Sequence, residues 1–389
     1  MNMSVVLLVI GILLFIGLIV AHEFGHFVAA RRNGVVAEEF GIFFPPRLYK
    51  KRMKGGWDFT INLLPLGGFV KLKGEHDSDT AKGSFGAASL WAKTQIMAAG
   101  VVMNLVIGLV LLTILAIIGM PKLVDNQFTV ASDTKISKRE VLITYVEPGS
   151  PAAKAGLKQR DQLLGISAPG KSTTIIDSDS LPNVTQQYAG QQVTVHYSHN
   201  GQTKSAKATL LTKAVRDASQ NTDNPKGYLG VVPTEFTLQR STWSAPVVAV
   251  GFSAQITGLT FEGLGKAVAG LGSIFAGTAT GNTQARQHGQ SAASSQVTGP
   301  VGIFLLLQSG SSLGWQYILV IIAIISLTLA IMNILPIPAL DGGKLWITLI
   351  ARGIFKKPLS NKLEERINAI GFLVLVTLII VITVVDIRR

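Results

Sequence analysis

The stretch Val20-Ala21-His22-Glu23-Phe24-Gly25-His26 decides how the rest of this chain reads. Two histidines four residues apart on a helix share one face, so both imidazoles reach a single zinc ion. Glu23, beside the first histidine, is placed to take a proton from a zinc-bound water. Such a short pattern arises by chance in many sequences, and its setting gives it weight: residues 5–21 carry no charge. From residue 3 into the motif the run is roughly 25 residues long, enough to cross about 30 Å of hydrocarbon. It has neither a basic start nor an Ala-x-Ala cleavage site, so it reads as a retained span rather than a signal peptide.

Of the 389 residues, 48% are hydrophobic and only 15% charged, against about 25% charged in an average soluble domain. The apolar surplus comes in blocks, the pattern of a membrane protein with a polar insert. The net charge of +13 is spread over loops with no basic, aromatic-interleaved patch. That favours anionic lipid headgroups over nucleic acid as partner. With no cysteine, thiolate zinc sites and disulfides are excluded, and any metal must be held by His, Asp or Glu.

After the motif come Arg31, Arg32, Lys50, Lys51, Arg52 and Lys54. Short loops rich in Lys and Arg stay cytoplasmic, which starts the N-terminus outside and puts the motif towards the cytoplasm. Residues 57–63 alternate apolar and polar, a strand with one apolar face. Pro65 and Gly67-Gly68 then turn the chain into Phe69-Val70-Lys71-Leu72, so 57–72 reads as a membrane-associated β-hairpin beside the motif. A second span covers about 94–119 and contains Asn104, a polar residue that either holds a neighbouring helix, the favoured role, or orients a ligand. Short β-like runs at 141–146, 162–166, 193–197 and 206–211 mark a soluble domain over 120–240, placed outside. Residues 245–279 are apolar but rich in Gly, Ser and Thr. They read as amphipathic helices at the outer interface, because one more crossing would separate the two halves of the metal site. Residues 284–297 read as a flexible loop. Further spans follow at about 315–335 and 369–385, making four crossings with the C-terminus outside.

A catalytic zinc takes three protein ligands and leaves one position open. Asp341, after the broken stretch Asn333-Ile334-Leu335-Pro336-Ile337-Pro338 and before Gly342-Gly343, falls on the same side as the histidines. Glu38, Glu39, Glu75 and His76 remain alternatives; His196, His199 and His288 fall on the other side. The chemistry these residues suit is peptide hydrolysis, with Glu23 carrying the proton from water to the leaving amine. An unwound substrate would add as a strand to the 57–72 edge, and Asn333 would bond its backbone.

His22-Glu-Phe-Gly-His26, Gly67-Gly-Phe-Val-Lys71, Gly299-Pro-Val-Gly302 and Asn333-x-x-Pro-x-Pro-x-Leu-Asp-Gly342 together resemble the site-2 protease family of zinc intramembrane metalloproteases, most closely its bacterial regulator-of-sigma-E branch. The resemblance implies zinc held by His22, His26 and Asp341, with Glu23 as base. It also implies a substrate site shaped by Asn333, Pro336, Pro338 and the Gly67-Gly68-Phe69 turn. It implies single-span substrates such as anti-sigma factors or remnant signal peptides, in the bacterial cytoplasmic membrane. Glu147-Pro-Gly-Ser-Pro-Ala-Ala-Lys-Ala-Gly-Leu157 with Asp161-Gln-Leu-Leu-Gly-Ile166 resembles a PDZ domain, although Arg160 stands where a glycine is usual; in the second span, Val101 replaces the proline that often follows Ala-Gly in the protease family. The expected fold is a polytopic α-helical membrane protein with four transmembrane helices, a membrane-associated β-hairpin and one extracytoplasmic PDZ-like α+β domain. Its parts are 1–119, 120–240, 241–314 and 315–389. The competing reading is a catalytically idle scaffold that binds peptides through the PDZ-like domain.

Overall fold

The computed structural model describes residues 3–199, 201–222, 225–296 and 299–388. The chain divides into two compact units, one of residues 118–127 and 131–242, the other of everything else.

The larger unit opens with α1 (Met3–Arg32), whose last turn carries Arg31 and Arg32, cations that suit the negative end of the helix dipole. Gly34 at φ +73 stops the helix, and Val35 N–H closes back onto Ala30 O at 2.9 Å. Strands β1 (Ala37–Arg52) and β2 (Asp58–Leu72) follow, then α2 (Leu90–Ile118). The pairing corrects the expected hairpin. Residues 58–62 and 68–72 do not pair with each other, because residues 39–42 lie between them: Phe40 stands opposite both Phe59 and Val70. Residues 47–52 flank 58–62 on the far side. What draws β1 in is an aromatic cluster, with Phe27 ring centroids 5.6 Å from Phe40 and 4.7 Å from Trp57. The buried face of 58–62 is also the polar one. Thr60 Oγ1 donates to Glu39 Oε1 at 2.7 Å and Asn62 Nδ2 to Phe43 O at 2.9 Å. Phe44, Leu48, Leu63 and Leu64 are exposed instead.

The second unit carries β3 (Met120–Pro121), β4 (Lys135–Val146), α3 (Pro151–Lys154), β5 (Gln162–Ala168), β6 (Lys171–Thr174), α4 (Ser180–Gln186), β7 (Gln192–His199), β8 (Gln202–Thr209), α5 (Lys213–Ser219) and β9 (Val231–Arg240). The sheet order is β3-β9-β4-β5-β7-β8, with β6 on β5. Val141, Leu163, Ile166, Val195 and Tyr188 fill its core. Arg160, in the place of the usual glycine, adopts φ +74, so the left-handed turn is kept at the cost a side chain incurs there. Asp161 beside it is fully buried, accepting from Lys158 N–H at 2.8 Å and from His199 Nδ1 at 2.6 Å.

The chain returns to the first unit through α6 (Ala245–Thr280), α7 (Thr283–Gln296), α8 (Pro300–Leu313), α9 (Trp315–Ile334), α10 (Asp341–Thr348), a π-helical turn (Leu349–Ile354) and α11 (Asn361–Arg388). The expected loop at 284–297 is helical through 296; residue 297 lies outside the described residues. Gly281 at φ +69 ends α6, Asn282 Oδ1 accepts from Ala285 N–H at 3.0 Å, and Gln and Ala carry the new helix. Residues 245–279, expected as several interfacial helices, form one helix of 36 residues. Four described helices are long and apolar enough to cross a membrane: α1, α2, α6 and α9. The expected last span lies within α11. Leu18, Leu307, Ile318 and Ile322 join α1, α8 and α9 in one core. Ala30, Val35, Phe85, Ile96, Met97 and Leu345 form another at the C-terminal end of α1.

Candidate metal centre

His22 and His26 lie buried on one face of α1, their Nε2 atoms 3.2 Å apart. Asp341, the first residue of α10, brings Oδ2 to 2.8 Å from His22 Nε2 and 3.1 Å from His26 Nε2. Among the described residues this is the one cluster of three groups able to hold a metal. The fit to zinc is close, since zinc–ligand bonds of about 2.0–2.1 Å in a tetrahedron set donor atoms about 3.3 Å apart. Two imidazoles and one carboxylate are also a donor set that leaves a fourth position for water.

Each imidazole is oriented from behind by α2. His26 Nδ1–H donates to Ile96 O at 2.7 Å; a carbonyl only accepts, so the ring's Nε2 lone pair is left for a metal. His22 Nδ1 lies 3.1 Å from the Asn104 carboxamide. With Nδ2 turned to the ring, Asn104 Oδ1 is buried without a partner. The opposite amide orientation satisfies that oxygen, makes it the acceptor of Nδ1–H and frees His22 Nε2. Asn104 therefore orients His22, while its carbonyl accepts from Ser326 Oγ at 2.7 Å on α9. Gly100, one turn before it, has no side chain for a reason: a Cβ there would meet His26 Nε2 at 2.4 Å and His22 Nε2 at 2.5 Å.

Asp341 is delivered by the broken stretch the sequence had marked. After α9, Pro336 and Pro338 prevent helix continuation, and Ala339 takes φ +72. Helix α10 then packs so tightly on this loop that a Cβ at Gly342 would meet Leu335 O at 2.2 Å, and one at Gly343 would meet Ile337 O at 2.3 Å. Trp346 Nε1 donates to Ile334 O at 2.9 Å.

Glu23, half-buried, lines a cleft with His26, Asp341, Lys344 and two residues of β2, Val70 and Leu72. A Cβ at Gly68 would stand 3.2 Å from Glu23 Cγ, a tight contact, so the glycine lets the strand pass close to the proposed base. Gly67 sits against the Phe44 ring, and Phe69 stacks on the same ring at 6.4 Å. Asn333 is half-buried at the end of α9, and its side chain has no hydrogen-bond partner among the described residues. Pro336 and Pro338 are exposed. The alternative ligands have other partners: Glu38 pairs with Lys71, Glu39 with Arg47, Glu75 with Leu72 N–H, and His76 lies near Glu364. Sequence reading missed Gly100 altogether and, of the two roles open to Asn104, favoured helix packing over the ligand orientation seen here. Their four-residue spacing, the same as that of the histidines, was the available signal.

Residues 10–378 match the model of peptidase family M50. A candidate zinc metalloprotease of Clostridium acetobutylicum is 30% identical over 388 residues, covering 99% of this chain and 98% of that one. One from Clostridium perfringens is 28% identical over 380 residues, covering 98% of each. The zinc metalloprotease RasP of Shouchella clausii is 26% identical over 463 aligned positions, covering 97% of this chain and 98% of that one. A match that runs from within the first helix into the last one, over a buried two-histidine, one-aspartate cluster beside a glutamate, leaves one conclusion: the chain belongs to peptidase family M50, the site-2 protease family, and is a zinc metalloprotease.

Proposed function

We propose that the chain is an intramembrane endopeptidase in which His22, His26 and Asp341 hold the zinc and Glu23 is the general base. The observation that carries this is the meeting of α1 with Asp341, 315 residues beyond His26, at the mouth of a cleft that also holds Glu23. Bound zinc would lower the pKa of a coordinated water and polarise the scissile carbonyl. Glu23 takes the water proton and returns it to the leaving amine. Membership of a peptidase family and the intact Glu23 and Asp341 speak against the idle-scaffold reading. In purified protein, Glu23→Gln should keep its zinc and lose cleavage of a tagged single-span substrate by at least ~100-fold. Cleavage at the parent rate by the zinc-loaded variant would remove Glu23 from the role.

Its substrates are single-span membrane proteins, such as anti-sigma factors or remnant signal peptides, which must unwind before hydrolysis. Residues 58–62 are flanked on both sides and cannot take another strand. The open edge is 68–72. Lys73 N–H donates to Val36 O, so by alternation the backbone of Val70 faces outward, into the cleft. A substrate strand adds there, with Asn333 available to its backbone; Val70→Pro tests this by deleting the outward donor.

The contact between the two chain ends also supports a topology. If α1 and α9 both end at the metal on the cytoplasmic side and α2 crosses once, the segment between α2 and α9 returns to the side where it began. Helix α8, 14 residues or about 21 Å long, is too short for a return crossing, which favours α6 lying along the outer interface. The second unit is then extracytoplasmic and PDZ-like. Its 228–230 loop supports this. The carbonyls of Tyr228, Leu229 and Gly230 are all bonded, while their N–H groups have no partner among the described residues. Three free amides beside Arg216 and Lys226 suit the carboxylate of a trimmed substrate. A peptide with a free C-terminus should bind at least tenfold more tightly than its amidated form; equal affinities would leave the unit a size filter only.

A further inference from the structure

We propose that Asp77 is a positioning residue for the metal centre, clamping the helix that carries Asp341 to the helix that backs the two histidines. The inference rests on the reading that His22, His26 and Asp341 hold the metal. Asp77 sits in the connection between β2 and α2 and is 1% exposed. Its carboxylate accepts from Lys93 Nζ on α2, from Arg352 Nε at 2.9 Å on the π-helical turn and from Leu359 N–H at 3.1 Å. Its carbonyl accepts from Arg352 Nη2, and its own N–H donates to Glu364 Oε2 on α11 at 3.1 Å. Two residues earlier, Glu75 O accepts from Lys344 Nζ at 3.0 Å.

These bonds join two parts of the site that no covalent geometry holds together. Lys93 is one turn before Ile96, whose carbonyl fixes His26, and two turns before Gly100, against which both rings rest. Lys344 is one turn after Asp341. Helix α10 cannot inherit its position from α9, because Pro336, Pro338 and the left-handed Ala339 interrupt the chain between them. Its placement therefore depends on Trp346, on the glycine packing and on the 75–77 connection. A sealed acid with two cations is an expensive way to fill a core, where apolar side chains of equal volume do as well or better. What the charges add is a single register, since Arg352 reaches both the carboxylate and the carbonyl of the same residue. A π-helical turn, which places Arg352, is itself a feature that recurs at functional sites.

The test is the zinc dissociation constant of the purified full chain by chelator competition, read alongside the melting temperature. Asp77→Asn should weaken zinc by ~10–100-fold and Arg352→Lys by ~10-fold, the range for groups that orient metal ligands indirectly. Lys362→Gln, an exposed cation of the same segment, should bind as the parent does. Folded Asp77→Asn and Arg352→Lys proteins with the parent's zinc affinity overturn the proposal, however far their melting temperatures fall. Should Asp77→Asn fail to fold, Arg352→Lys decides alone, because Arg352 is partly exposed and keeps its charge. His22→Ala holding zinc as tightly as the parent would instead overturn the metal reading, a distinct result.

Discussion

Asp341 and Asp77 are carboxylates in the same unit, each facing positively charged or ionisable nitrogen donors, and they have opposite surroundings. Asp77 is saturated: two cations and an amide cover its oxygens, and 2% of its side chain is exposed. Burial alone would raise its pKa, but Lys93 and then Arg352 outweigh that and hold the carboxyl below the usual carboxylate range. Asp341, among the described residues, meets two imidazole Nε2 atoms and no cation, and 31% of its side chain is exposed to the cleft. The difference separates an acid closed in by its partners from the proposed metal ligand, which is left open to the cleft. Incomplete satisfaction next to a cleft, rather than charge alone, is what singles out the proposed ligand.

The comparison breaks if the two acids respond alike. The largest effect should come from Asp341→Asn: cleavage falls at least ~1000-fold as the metal set loses its carboxylate, while thermal unfolding stays close to the parent's. A large drop in melting temperature would make Asp341 structural as well. Gly100→Ala should be next. Its added methyl collides with both imidazoles, so zinc affinity and cleavage should fall together by ~10–100-fold; parent-like zinc binding would mean α2 yields and does not back the ligands. Val70→Pro should be the smallest, about tenfold in cleavage with zinc affinity unchanged, the loss of one or so hydrogen bonds to substrate. A fall in zinc affinity there would place the strand's role in the metal centre instead.

The sequence made the two ends of the centre legible because they break local rules in view. An acidic residue, Glu23, between two histidines at the end of an uncharged run, and an aspartate after Pro-x-Pro, are each costly unless used. The backing helix was not legible: Gly100 and Asn104 sit in a run whose other residues are those of any membrane span, and only the fold turns that face to α1. The 57–72 hairpin was misread because alternation reports strands but not partners, and the true neighbour, residues 39–42, hides beside Pro45-Pro46 and a run of cations. The Thr60 and Asn62 face can be the buried one because Glu39 and Phe43 O supply its bonds. Asp77 sat in an apparently polar loop whose cationic partners lie 16 and 275 positions away.

The separation of His26 from Asp341 by 315 residues has a consequence in time. At about 5–20 residues per second, roughly 15–60 s pass during synthesis between the emergence of the two. Throughout that interval the nascent chain carries the proposed base and two of the proposed ligands without the third, so on that reading the metal centre is completed only after most of the helices have been made.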